Sequence, residues 1–323
     1  MSLRQLNLSA AILHYSLAVG FSIYFNNINK KYGNKKIKGV ELSTRDHKLV
    51  LSDISEGCTS TTREEEKEGH VVYCNTEGGS GISADWVSHE FQTIDIKVIQ
   101  GLLIGFFIIT GTFHLFYYIG NAETSSSKTT INNFYSKAIK NENNFYRWIE
   151  YAITATMMLY VIAYTSGVKD TNVYIMLFAT NLTLISLGQA VEVAVRDGKS
   201  WWLPMLTSFL LLISEFAVIM RSFWKRLKEV NDYIKLPNHP EGNVTDTKIP
   251  SWLNIMIVVL FVFFSCFGFV SLYGAYNHTS YDKIEKAYII LSFVSKAVLA
   301  SFVAYGTGQR QTDLNTMDNK NNL

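Results

Sequence analysis

Apolar residues dominate seven stretches of this chain, each close to the roughly 20 residues that a helix needs to cross a bilayer. They run over Leu8–Phe25, Val98–Ile119, Tyr146–Tyr164, Asn172–Val195, Leu203–Phe223, Ile255–Tyr276 and Ala287–Tyr305. The first is too long for a removable signal peptide and lacks a small-residue cleavage site, so it reads as the first span. The longest connection, about Asn26 to Asp95, follows it. Polar and apolar residues alternate there in Lys48–Leu51 and His70–Tyr73, around turn-rich stretches such as Glu77–Gly81. That alternation predicts a small β-hairpin or sheet cap. The pattern as a whole predicts an all-α membrane protein, a single domain over residues 1–323 with seven transmembrane helices. Within it, 26–95 forms a structured, β-containing first loop and 308–323 a flexible C-terminal tail.

Composition agrees with the spans. Charged residues make up 17% of the 323 positions, against about 25% in an average soluble domain. A net charge of +2 gives no footprint for a nucleic-acid partner. Trp86, Trp201, Trp202, Trp224 and Trp252 lie beside the spans, as an interfacial belt would. Of the 3 cysteines, Cys58 and Cys74 share the long loop and Cys266 lies in the sixth span. A Cys58–Cys74 bridge would close a loop of about 15 residues and contribute about 3 kcal/mol. The alternative is two free thiols in a cytosolic loop. A bridge would put the long loop on the oxidising side and the N-terminus in the cytosol.

Charge counting does not assign the orientation. The side of the long loop also holds Lys30, Lys31, Lys35, Lys36, Arg221, Lys225, Arg226 and Lys228. The opposite side holds Arg4, Lys128, Lys137, Lys140, Arg196, Lys199, Lys283 and Lys286, with no clear excess on either. A glycosylation sequon, Asn243–Thr245, falls in the loop after the fifth span.

An ionisable residue deep in a span is costly, about 2.5–3.5 kcal/mol on insertion scales, and points to function. Lys296 lies at the middle of the last span, about 14 Å from either end, too deep for easy snorkelling. A buried amine of this kind suits a Schiff base with an aldehyde. The plainer alternative is a lysine paired with a carboxylate for stability alone. Glu150, at the start of the third span, is the best partner. Arg147 stands one turn away on the same side, so an interfacial Arg147–Glu150 pair is the competing arrangement.

Two segments carry a resemblance. Arg147-Trp-Ile-Glu-Tyr151 opens the third of seven helices, and Ser292-Phe-Val-Ser-Lys296 ends at the middle of the last. Together they resemble the microbial-type rhodopsins. With the long structured first loop, the wording is similar to heliorhodopsins in particular. The resemblance implies all-trans retinal as a Schiff base on Lys296, with Glu150 as counterion. It also implies a homodimer with an inverted orientation: N-terminus cytoplasmic, first loop and C-terminus extracellular. In heliorhodopsins, histidines placed like His14 and His114 line a polar cavity on the cytoplasmic side and are candidates for handling the released proton. The bland alternative is two histidines hydrogen-bonded in a helix interface.

Proton-pumping relatives carry a donor carboxylate about three turns beyond the counterion, where this chain has Val161. They also keep an Asp one turn before the lysine, where this chain has Ser292. One counterion without a donor speaks against a conventional outward pump. Thr154, one turn beyond Glu150, is placed to hydrogen-bond to it. Retinal is a long flat polyene that needs an aromatic and flexible slot. Its expected walls are Trp148, Tyr151, Met157, Met158, Phe264 and Phe267, with Phe261, Phe263 and Phe269 nearby.

Two further carboxylates lie in spans. Glu192 stands four residues before Arg196, which predicts a boundary salt bridge, with proton handling as the alternative. Glu215 sits mid-span with no local partner, as a helix-holding group or a proton relay. The leading expectation is a light-activated receptor, not an enzyme, whose Schiff-base proton leaves on isomerisation and whose helices relax into a long-lived signalling state. The second is light-gated passive proton or ion conduction along Glu215, Glu192 and Glu150. A retinal-free receptor or membrane enzyme is disfavoured. The last helix has no Asn-Pro-x-x-Tyr, the third ends in Tyr164-Thr-Ser-Gly167, and the remaining histidines (His47, His70, His89, His239, His278) are dispersed. No signalling partner is visible in Gln309–Leu323.

Overall fold

The computed structural model describes residues 1–32, 40–51, 70–74, 81–94, 96–121, 134–168, 170–234, 251–277 and 280–321. Cys58 and the Asn243–Thr245 sequon lie outside them. The chain divides into a helical unit and a second compact unit of Lys38–Ile94 with Lys169–Val173.

The helical unit is built from α1 (Leu3–Tyr32), α2 (Ile96–Gly120), α3 (Phe134–Lys140), α4 (Phe145–Thr165), α5 (Thr171–Arg196), α6 (Trp202–Ile234), α7 (Ser251–Asn277) and α8 (Tyr281–Asn321). The seven long helices coincide with the seven apolar stretches. Among the described residues, six are long and apolar enough to cross a membrane by length and composition. The seventh, α4, is diluted by Arg147, Glu150 and its threonines and tyrosines. Most of those side chains face protein: Arg147, Trp148, Glu150, Tyr151, Thr154 and Thr156 are all buried. A helix enclosed by neighbours has no need of an apolar surface. The outer helices show the converse, with Ile12, Val19, Ile175, Met176, Leu203 and Val262 each more than half exposed. Such an apolar exterior suits lipid.

Asn144 caps α4. Its side-chain oxygen accepts the Arg147 N–H at 3.3 Å, which satisfies one of the free amides of the first turn. The short α3 has no counterpart in the predicted elements, because seven residues carry no spanning signal. Aromatic stacking holds it: Phe134 lies on Phe116 at 4.2 Å and Tyr135 on Tyr117 at 4.8 Å. Helix α8 continues past the last span into the C-terminal segment, as far as Asn321. Nothing after Gly308 breaks a helix, since Gln, Arg, Leu and Met favour it and proline is absent from the segment.

The second unit holds an antiparallel three-stranded sheet in the order β1 (Val40–Leu51), β3 (Gly81–Ile94), β2 (His70–Cys74). The central strand β3 pairs Thr44 with His89 on one side and Val72 with Ser83 on the other. Its first neighbour carries a register shift between Leu42 and Ser43. Cys74 ends β2. Cys266, half-buried in α7, is a free thiol.

Candidate functional site

Lys296 of α8 and Glu150 of α4 meet inside the bundle, 2% and 1% exposed. The amine donates to Ser292 Oγ at 2.6 Å and stands 3.5 Å from Glu150 Oε1, an ion pair longer than a good hydrogen bond. Ser292, one turn back along α8, therefore orients the nitrogen. The hydroxyl set against Glu150 is that of Thr110 on α2, whereas Thr154 lines the neighbouring cavity.

That cavity begins at Lys296 and runs between α4, α5, α6 and α7. Trp148, Tyr151, Thr154, Met158, Phe264, Phe267 and Ser292 line it. Tyr151 meets Phe267 edge-on at 5.4 Å, and Phe267 stacks on Tyr288 at 6.1 Å. Met157 does not line it. One residue round the helix from Met158, its Cε lies 2.9 Å from where a Cβ on Gly105 of α2 would be. Phe261 and Phe269 are likewise outside, packed on Phe216 and Phe209.

Lining residues with no signal in the sequence include Asn181, Phe209, Ser271, Tyr288 and two glycines. A Cβ on Gly188 would stand 2.6 Å from the Trp148 ring, and one on Gly268 would stand 2.7 Å from Phe209. The glycines let these rings lie against bare backbone, which keeps the slot open.

Arg147 does not pair with Glu150. Its guanidinium turns to the end of the bundle where α4 and α8 begin. It donates to Glu192 at 2.9 and 3.1 Å and to Glu285 through Nη1. Glu192 is thus not the partner of Arg196, which bonds to Asp197 at 2.8 Å; its tip points into the bundle. Glu285, 1% exposed, also accepts from Asn144 at 2.6 Å and from Tyr135 at 3.3 Å. Aromatic faces complete the cage, with Arg147 Cζ 4.4 Å over Tyr288 and 4.9 Å over Trp148.

The heliorhodopsin family model matches residues 96–307. This chain belongs to the heliorhodopsin family. The match spans α2 through the membrane part of α8 and includes both signature segments. No curated protein matches the chain.

Retinal is the chromophore of heliorhodopsins, and the residues of this one fit it. A primary amine is buried at one end of an aromatic-walled cavity, beside the Glu150 carboxylate, and a long apolar ligand suits such a slot. Trp148, Tyr151, Met158, Phe264 and Phe267 would hold the polyene, with Lys296 as its anchor.

Near the lysine, this heliorhodopsin has a second polar group. His14 Nδ1 donates to Ala10 O at 2.7 Å, and His114 Nδ1 to Asn7 Oδ1 at 2.8 Å. Their rings lie 5.4 Å apart. With both Nδ1 atoms engaged as donors, both Nε2 atoms are left as free acceptors. Glu215, 2% exposed on α6, stands apart. Thr180 of α5 faces it, but that hydroxyl is committed to Met176 O at 2.8 Å. Among the described residues, neither Glu215 oxygen has a hydrogen-bond partner.

Proposed function

We propose that this heliorhodopsin is a light-activated receptor in which Lys296 bears retinal as a Schiff base and Glu150 is the counterion. The carrying observation is the buried Lys296 amine in the cavity wall, 3.5 Å from the Glu150 carboxylate. When bound, all-trans retinal supplies light absorption and an isomerisable chain. The protein's own residues do the rest. Glu150 balances positive charge at the lysine nitrogen, and Ser292 fixes that nitrogen's direction. His14 and His114 offer free Nε2 atoms to a proton leaving the nitrogen. Val161 and Ser292, at positions where pumps carry carboxylates, offer it no quick return, which favours a long-lived state. We further propose a homodimer with a cytoplasmic N-terminus, signalling to a protein partner rather than turning over a substrate.

The test is the visible spectrum of protein expressed with all-trans retinal, beside Lys296→Ala. A visible band that hydroxylamine bleaches and the variant lacks is expected. No band in either protein overturns the reading and leaves Lys296 as the partner of a structural ion pair.

The unpartnered Glu215 carboxylate favours a second reading, passive proton conduction under light. On that reading, voltage-clamped cells show a light-induced current that Glu215→Gln reduces at least about tenfold, on the order of 1.4 kcal/mol of barrier. No current at any voltage excludes it.

A further inference from the structure

Trp148 belongs to two cavities. Its ring lines the lysine cavity and also a second one, which opens beside Glu192, Ser280 and Tyr281. Tyr288 and Ser271 share that partition. The indole N–H reaches through it and donates to Glu192 Oε2 at 2.5 Å, and Glu192 in turn accepts two hydrogen bonds from Arg147. The chromophore wall is thus joined by one polar bond to the charged cluster at the end of the bundle.

The ring is seated so that movement falls on that bond. Gly188 lies one turn before Glu192 on the same helix, and its backbone abuts the ring with no room for even a methyl group. Tyr151 and Tyr288 meet the ring edge-on at 6.4 and 6.3 Å. Displacement toward α5 is barred and displacement toward α8 is crowded. A hydrogen bond to a carboxylate weakens steeply with distance and angle. Small shifts at such a contact are amplified when the cluster behind it has two arrangements. Here Arg147 is bonded to Glu192 and Glu285 at once, so a loosened Glu192 would leave the guanidinium to Glu285.

We infer that Trp148 is a positioning residue that carries a change of cavity shape to the Arg147–Glu192–Glu285 cluster by loosening its bond to Glu192. The inference rests on Lys296 bearing retinal. It gives the light signal an exit at the end of the bundle where Asn144 and Tyr281 start α4 and α8.

Infrared spectroscopy on the retinal-loaded protein reads the bond directly. In the dark, the indole N–H stretching band of Trp148 is identified by its loss in Trp148→Phe and its displacement in Glu192→Gln. Light should shift this band toward a weaker hydrogen bond in the long-lived photoproduct. Trp148→Phe and Glu192→Gln should each change the photoproduct lifetime by about tenfold, and the double variant by no more than either single one. A wild-type N–H band that light leaves in place, while the visible band bleaches and recovers, overturns the link and leaves the retinal reading intact. So do lifetime effects that multiply independently. Absence of a visible band in the wild type removes both readings.

Discussion

Glu150→Gln moves the visible absorption maximum to longer wavelength, and Glu150→Ala also lowers stability by about 3–5 kcal/mol, the usual cost of removing one partner from a buried ion pair. The reason is the environment of Lys296. Lys296 is 2% exposed, and Glu150 is the carboxylate within ion-pair distance of its amine among the described residues. The fixed negative charge stabilises positive charge held at the nitrogen more than charge delocalised along a conjugated chain. Removing it narrows the gap between those two distributions. Glutamine keeps the volume and an acceptor oxygen, so the spectral effect is separable from packing, whereas alanine adds a void. Spectra and thermal melts of both variants check this. An unchanged spectrum in Glu150→Gln would assign the counterion role elsewhere.

Arg147→Ala has the second large effect, about 3–5 kcal/mol of lost stability. Arg147 alone among the described side chains is ion-paired to both Glu192 and Glu285. Without it, the buried Glu285 and the partly buried Glu192 lose the guanidinium they share, next to the starts of α4 and α8. Arg147→Lys should recover little, because an ammonium cannot reach two carboxylates in the planar, forked geometry that the guanidinium uses. Arg147→Ala combined with Glu285→Gln should recover part of the loss, since one uncompensated charge is then removed. Melting temperatures and monodispersity in detergent check the series. A fully stable Arg147→Ala protein would show that the cluster adds nothing to the fold.

The bundle is legible in the sequence because a bilayer imposes a length and a polarity on every exposed span. Lys296 is legible for the same reason, as an ion in an apolar run stands out. The partners of Arg147 are not. Arg147 and Glu150 are one turn apart, yet that single turn separates the charged end of the bundle from the lysine cavity. Spacing along α4 cannot show where one set of neighbours gives way to the next. Glu192 has Arg196 at the favourable helical interval, but the α5 face that carries Glu192 is covered by α4. Glu285 is hidden among Asp282, Lys283 and Lys286, a run that looks like a solvated helix start. Met157 and Met158 differ by about 100° round the helix, and only packing tells which one meets the cavity. Gly188 and Gly268 have no chemistry to notice. Their part is the space they leave.

Helix α8 extends from Tyr281 to Asn321, and its far end lies 25 residues beyond Lys296, about 37 Å along the axis. It contains no proline to hinge it. The residue at the heart of the protein thus sits on a lever: each degree of tilt about Lys296 carries the tip sideways by about 0.6 Å. A tilt too small to open the bundle at the lysine is thereby magnified at the tip.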